Sequence, residues 1–191
     1  MNKGRMEAFS DGVIAILITI MVLELKIPHG ADLESLRPIL PVFLTYVLSF
    51  IYIGIYWNNH HHLLQATKQI NGKILWANLH LLFWLSLISF ATGWMGENHF
   101  APLPTAVYGV VLLAAAIAYF ILQNLIIAQN PKLRQAIGKD FKGKISPFIY
   151  VAAIALAFVN HWISNALYVL VALMWLVPDR RIESKIQNSE S

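Results

Sequence analysis

The stretch Met6-Glu-Ala-Phe-Ser-Asp-Gly-Val-Ile-Ala-Ile-Leu-Ile-Thr-Ile-Met-Val-Leu-Glu24 places a polar Phe-Ser-Asp triplet at the head of a run of aliphatic side chains. With its polar head and a tail to Ile27, the run has the ~20 residues that a membrane-spanning helix needs. It therefore predicts a first transmembrane helix over residues 6–27. A carboxylate at membrane depth is costly unless it finds partners, so Asp11 needs an explanation of its own.

The composition of the whole chain agrees with a membrane environment. Of 191 residues, 58% are hydrophobic and 13% are charged, whereas soluble domains carry ~25% charged residues. The chain has no cysteine, which excludes disulfides, iron-sulfur clusters and thiolate chemistry. Its net charge of +4 comes from basic residues that flank apolar runs rather than forming one stripe, so nucleic acid is not an expected partner. We predict an all-α integral membrane protein that contacts lipid.

Apolar runs farther along the chain predict five more spans. Residues 38–62, 74–96 and 105–128 each match one crossing. The last run, 145–178, would be ~50 Å long as a single helix, so we expect it to fold back at the polar stretch Asn160–Asn165. This gives spans over 145–160 and 162–178. The predicted organisation is one six-helix unit over residues 1–178, followed by a polar tail over 179–191.

The basic residues give an independent check on six crossings. Twelve of the 14 Lys and Arg residues lie in segments that six crossings place on one side of the membrane, and only Lys26 and Arg37 lie on the other. Because basic residues concentrate on the cytoplasmic side, we expect both termini to be cytoplasmic.

The side chains of the first helix divide into two groups when they are projected at ~100° per residue. Around the helix axis, Thr19, Ile20 and Leu23 fall within about 60° of Ile16. Phe9, about two turns earlier, falls within the same angle. Asp11 lies about 140° away and Ser10 about 120° away. The aliphatic face and the polar pair therefore have different tasks.

Asp11 has candidate partners at the same membrane level. Trp57 and His60 end the second span, Asn78 lies one turn into the third, and a cluster of these side chains with Ser10 could satisfy its own hydrogen bonds and join three helices. A second interpretation is a proton relay or ion site, because ionisable residues inside membranes often mark pathways. The sequence leaves both open.

The motif Arg5-x-x-x-Phe9-Ser10-Asp11, followed by Trp57-x-x-His60 and Asn78, resembles the bacterial branch of the transmembrane protein 175 family. The resemblance implies a potassium-permeable channel in the bacterial inner membrane, assembled as a homotetramer whose pore is formed by the first helix of each subunit. It also implies a structural polar network around the motif. The residues expected in that network are Arg5, Phe9, Ser10, Asp11, Trp57, His60 and Asn78.

The same resemblance implies where ions would pass. Ile16, Ile20 and Leu23 match apolar constriction positions of the family, and Thr19 matches a position proposed to offer hydroxyls to potassium. The chain contains no Thr-Val-Gly-Tyr-Gly filter sequence. Potassium is then a transient occupant near Ile16 and Thr19, with no resident cofactor or metal. Alternatively, the Thr19 hydroxyl bonds its own helix backbone.

Three further possibilities follow from single features. Glu24 could favour cations at the outer mouth, unless Lys26 neutralises it. The run His60-His61-His62 suggests a metal, but neighbouring helical side chains diverge by ~100°, so we expect neither a metal site nor an enzyme. A proton-coupled secondary transporter that uses Asp11 and His60 is the alternative function, although no internal repeat supports it.

Overall fold

Six α-helices and one short 3-10 helix form the regular structure in a computed structural model that describes residues 3–65, 67, 69–129 and 141–176. The helices are α1 (Lys3–Leu23), α2 (Leu40–Gln65), α3 (Gly72–Glu97), α4 (Pro102–Ile127), α5 (Phe141–Leu156) and α6 (His161–Leu176), with the 3-10 helix at Glu34–Ile39. The predicted all-helical fold with six helices is confirmed.

Local chemistry explains where several helices begin. The Asn71 side chain caps α3 by accepting a hydrogen bond from the backbone N–H of Ile74 at 3.0 Å. Pro102 stands in the first turn of α4, where its missing N–H is least costly. At the start of α6, the Asn160 side chain accepts a hydrogen bond from the backbone N–H of Trp162 at 3.0 Å.

Several predicted boundaries differ from the structure by a few residues, and two of these differences have a visible physical reason. The first helix ends at Leu23 rather than at Ile27, because Pro28 disfavours helical backbone at the residue before it and the Lys26 ammonium pairs with Glu97 at 2.6 Å. The break before α6 covers residues 157–160, whereas the polar stretch predicted to be the turn belongs mostly to the helix that Asn160 starts. The end of the predicted last span, the tail 179–191 and residues 130–140 lie outside the described residues.

Among the described residues, four helical segments are long and apolar enough to cross a membrane: α1, the 3-10 helix with α2, α3, and α4. Helix α6 is apolar but shorter. With 16 residues each, α5 and α6 reach ~24 Å, somewhat less than a ~30 Å hydrocarbon core. The chain is an integral multi-pass membrane protein.

Helix α3 is the centre of the packing, because α1, α2 and α4 all pack against it, while α5 packs on α4 and on α6, and α6 also contacts α2 and α4. Close crossings depend on glycine at two positions: a Cβ on Gly96 would meet the Val42 Cα at 2.6 Å, and one on Gly109 would overlap the Tyr168 hydroxyl. Among the described helices, α1 makes its main contacts with α2 and α3, so it lies at the edge of this group of helices.

Buried hydroxyl groups join the bundle behind α1. The Ser49 hydroxyl lies 2.6 Å from the Thr92 hydroxyl and 2.9 Å from the Tyr108 hydroxyl, which links α2 to α3 and α4. The Tyr52 hydroxyl donates to the backbone carbonyl of Tyr168 at 2.6 Å and links α2 to α6. Helix α1 therefore packs against a scaffold that is fastened independently of it.

Candidate functional site

Helix α1 has one buried and one exposed face. Its buried residues are Met6, Ser10, Ile14, Leu17 and Met21. On the opposite side, Ile16 is 57% exposed, Ile20 42% and Leu23 80%, and Phe9 is exposed as well. We call Phe9, Ile16, Thr19, Ile20 and Leu23 the apolar face of α1. Such large side chains need lipid or another protein surface to cover them, because the chain's own helices do not.

The Thr19 hydroxyl is exposed on the apolar face and donates a hydrogen bond to the backbone carbonyl of Ile16 at 2.8 Å. The acceptor is thus three residues back rather than four. Because the hydroxyl hydrogen is used in this bond, the oxygen keeps its lone pairs for an outside partner. The intrahelical bond and a role toward cations are therefore compatible.

A buried chain of hydrogen bonds joins three helices at the N-terminal half of α1. His60 on α2 bonds through its Nε2 to Asn78 Oδ1 on α3 at 2.7 Å, and Asn78 Nδ2 donates to Ser10 Oγ on α1 at 2.9 Å. Ser10 then donates to the Met6 carbonyl at 2.8 Å. Because the Asn78 amide nitrogen is directed to Ser10, its oxygen accepts from His60, which assigns the proton to Nε2. The buried His60 Nδ1 has no partner among the described residues.

Asp11 belongs to a different group. Its Oδ1 accepts a hydrogen bond from the Trp57 indole N–H at 3.0 Å, at a half-buried position on the side of α1 that faces α2. Within the described part of the chain, no hydrogen bond links this pair to His60. The structure thus brings the predicted polar residues to one end of α1 but gives Asp11 and His60 different hydrogen-bond partners.

Arg5 and Phe9 are placed apart from both groups. Each side chain is exposed, and neither makes a side-chain hydrogen bond within residues 3–65, 67, 69–129 and 141–176. They share the open side of α1 with Ile16 rather than the side that faces α2 and α3.

A regular series of polar contacts between α1 and α2 escaped the sequence analysis. Besides Asp11 and Trp57, Glu7 Oε1 lies 3.1 Å from His61 Nδ1, and Lys3 Nζ donates to the Gln65 carbonyl at 2.8 Å. The members are four residues apart on both helices and run in opposite directions. The sequence contained a signal for these contacts, because polar residues recur every four positions on both helices. They are Lys3, Glu7 and Asp11 on α1 and Trp57, His61 and Gln65 on α2. We call these three contacts the α1–α2 series.

Of the three consecutive histidines, His60 and His61 have separate environments. His60 bonds Asn78, whereas His61 contacts Glu7 and stacks on Trp57 with ring centroids 6.1 Å apart. In the described residues, no group of three or more His, Cys, Asp or Glu side chains is arranged to hold a metal ion.

Comparisons with known proteins agree on one family. The family described as endosomal/lysosomal potassium channel TMEM175 matches residues 5–88, a range that includes α1, α2 and most of α3. A potassium channel of Chryseobacterium sp. (strain P1-3) is 59% identical over 192 residues, covering 99% of this chain and 100% of that protein. The endosomal/lysosomal proton channel TMEM175 of Gallus gallus is 41% identical over 81 residues, which is 36% of this chain and 16% of the chicken protein.

A solved structure has the same fold over nearly the whole chain. The crystal structure of a lysosomal potassium-selective channel TMEM175 homolog from Chamaesiphon minutus superposes with a TM-score of 0.81 at 30% identity, covering 92% of this chain and 96% of that one. These relatives are ion channels rather than enzymes. The six-helix membrane protein described above belongs to the TMEM175 family.

Proposed function

We propose that this protein is a potassium-permeable cation channel of the bacterial inner membrane, a homotetramer with cytoplasmic termini in which four copies of α1 surround the pore. The observation that carries the proposal is the apolar face of α1. Ile16, Ile20 and Leu23 are large, exposed and lie on one side of a helix whose other side is buried. Four such faces around an axis would cover one another and leave a narrow conduit.

In this arrangement the isoleucine and leucine side chains form the constriction. A ring of aliphatic groups either loses its water and blocks ions, or widens enough to admit a partly hydrated cation. Opening therefore corresponds to movement of the α1 helices away from the axis. The Thr19 oxygen, one turn from Ile16 and with its hydrogen already bonded to the backbone, would replace part of the water around potassium.

Selectivity in this channel would come without the filter of familiar potassium channels. A related stretch, Thr105-Ala-Val-Tyr-Gly109, lies inside α4 with Tyr108 fully buried, so it offers no row of free carbonyls. The discrimination between potassium and sodium therefore falls to the constriction and to Thr19.

The proposal is tested by recording single channels from the purified protein in planar bilayers, with potassium on one side and sodium on the other. Ile16→Asn should raise the conductance and move the reversal potential toward equal permeability, because a polar ring holds water that isoleucine excludes. Val22→Asn is the matched control, since Val22 is an exposed aliphatic residue of α1 that lies about 120° from Ile16. Unchanged selectivity and conductance in Ile16→Asn would remove Ile16 from the pathway.

Protons are the competing permeant ion, because the animal relatives are named proton channels. Vesicles that contain a pH-sensitive dye and carry a potassium gradient distinguish the cases. With a potassium channel the internal pH changes only after a protonophore is added, and with a proton channel only after valinomycin is added. A proton-coupled carrier changes the internal pH with neither. In the described residues Asp11 bonds Trp57 and His60 bonds Asn78, so no direct hydrogen bond joins the two residues that a proton-coupled carrier would use, and this favours the channel.

A further inference from the structure

The loops at the C-terminal end of α1 carry more acidic than basic side chains. Glu24, Asp32, Glu34 and Glu97 lie at this end of the bundle, against Lys26 and Arg37. The excess is two negative charges per chain, although the whole chain has a net charge of +4. The charge at this end is thus opposite in sign to that of the rest of the molecule.

The structure distinguishes these acidic groups by their partners. Lys26 Nζ contacts Glu97 Oε1 at 2.6 Å, so the lysine that follows Glu24 is engaged by another acid. This hydrogen bond and the charge of Glu97, together with a smaller effect of Glu24, raise the pKa of Lys26. The Asp32 carboxylate accepts the backbone N–H of Ser35 at 2.9 Å. Glu34 has Arg37 three residues later on the same short helix, with no direct ion pair or hydrogen bond between the two side chains in the described residues.

The remaining acidic residue, Glu24, directly follows α1, the helix proposed to line the pore. It is exposed, follows the last residue of α1, and makes no hydrogen bond or ion pair in the described part of the chain. Its carboxylate lies near α3, because a Cβ placed on Gly93 would be 3.9 Å from Glu24 Oε2. The carboxylate therefore lies on the side of the helix end that faces α3, so any effect on an ion in the pore acts across the end of α1 and not by contact.

We propose that Glu24 is a charge-selectivity determinant of this channel: four copies, one after each α1, form an uncompensated negative ring that concentrates monovalent cations at the pore mouth and repels anions. The proposal rests on the proposed function, since it needs α1 to line the pore. The carboxylate acts through its electric field, which at low salt extends well beyond contact distance. No dehydration of the ion and no direct coordination are required.

The field mechanism has a distinctive dependence on salt. The Debye length is ~30 Å in ~10 mM salt and ~3 Å in ~1 M salt. An effect of Glu24 on cation entry should therefore be large in dilute solution and vanish in concentrated solution. A change in pore shape or in gating would persist at both concentrations.

The experiment measures potassium current that enters from the Glu24 side, at ~10 mM and at ~1 M potassium chloride, in planar bilayers containing the full-length protein. Glu24→Gln should lower the current roughly twofold to tenfold in the dilute solution and leave it unchanged in the concentrated one. Glu24→Lys should lower it further, and Glu24→Asp should keep the wild-type current. In a potassium chloride gradient, Glu24→Gln should also shift the reversal potential toward that of chloride.

Glu34→Gln is the matched control, because it removes the same charge from the 3-10 helix instead of the end of α1, and its effect should be smaller. Equal losses at both salt concentrations, or currents that do not follow the charge at position 24, would overturn the proposal. If Ile16→Asn alters selectivity while Glu24→Gln changes nothing, the pore assignment stands and only the role of Glu24 fails. If the wild-type protein passes no potassium, the proposed function itself fails.

Discussion

The two halves of α1 are held in different ways. From Lys3 to Asp11, α1 is tied to α2 by the α1–α2 series and to α3 by the buried bond between Ser10 and Asn78. From Gly12 to Leu23, its buried side makes apolar contacts through Ile14, Leu17 and Met21, and the Thr19 hydroxyl bonds its own helix.

This difference indicates which half of α1 can move at the lower cost in free energy. Hydrogen bonds are directional, so the first half of α1 has a fixed register and rotation. Apolar contacts are non-directional and tolerate sliding or tilting. Because the rotation of α1 is fixed at its first half, a tilt of the helix displaces mainly the apolar half, and the constriction proposed for Ile16, Ile20 and Leu23 lies in that half. The fastened end thus serves as the pivot in the proposed gating motion.

Of the substitutions that test this difference between the two halves of α1, Asn78→Leu should lower the stability of the protein most. The change leaves the buried His60 Nε2–H without an acceptor and removes the donor to Ser10, which should cost about 2–4 kcal/mol of stability. Thermal unfolding of the detergent-solubilised protein, followed by tryptophan fluorescence, measures the loss. Ser86→Ala removes an exposed hydroxyl from the same helix and serves as the control, with an expected change within ~0.5 kcal/mol. A wild-type melting temperature in Asn78→Leu would refute the pivot.

Trp57→Phe should have the second largest effect. It keeps an aromatic ring beside α1 but deletes the indole N–H that bonds Asp11, so we expect a loss of about 1–2 kcal/mol. The same measurement applies, with Trp76→Phe as the control, because Trp76 is 75% exposed and its indole bonds no described residue. Equal shifts for both variants would mean that the Asp11 bond contributes nothing.

Glu7→Gln tests the contact of the α1–α2 series between a carboxylate and a histidine, and it should cost only ~0.2–1 kcal/mol, because water and salt reach this partly exposed contact. Its effect should shrink further when the salt concentration rises from ~0.1 M to ~1 M. Melting curves at both concentrations provide the readout. A loss that is independent of salt would point to packing rather than charge at Glu7.

Thr19→Val should have the smallest effect on stability, within ~0.5 kcal/mol, since the hydroxyl is exposed and bonds its own helix. Its effect should instead be a lower preference for potassium over sodium in bi-ionic recordings. Thr92→Val is the contrasting variant, because its hydroxyl is buried against Ser49 and its loss should destabilise the scaffold. A melting temperature lowered as much in Thr19→Val as in Thr92→Val would contradict the division of α1 into two halves.

Much of the fold was predictable, because a helix that crosses a membrane needs ~20 mostly apolar residues and basic residues concentrate on the cytoplasmic side. Long apolar runs and the distribution of lysine and arginine predicted six helices, and the helices are present. Helix ends were less predictable. Lys26 lies beyond the end of α1 and pairs with Glu97, which is more than 70 residues away in the sequence, so no local sequence pattern indicates that partner.

The sequence by itself determined which side chains share a face of α1, because the helical repeat alone fixes the angle between Ile16, Ile20 and Leu23. It also placed Ser10, Asp11, Trp57, His60 and Asn78 at one level of the bundle. Only the tertiary structure decided how these polar groups pair: Asp11 with Trp57, His60 with Asn78, and Glu7 with His61. The reason is physical, since residues at one membrane level have several possible partners and the rotation of each packed helix selects among them.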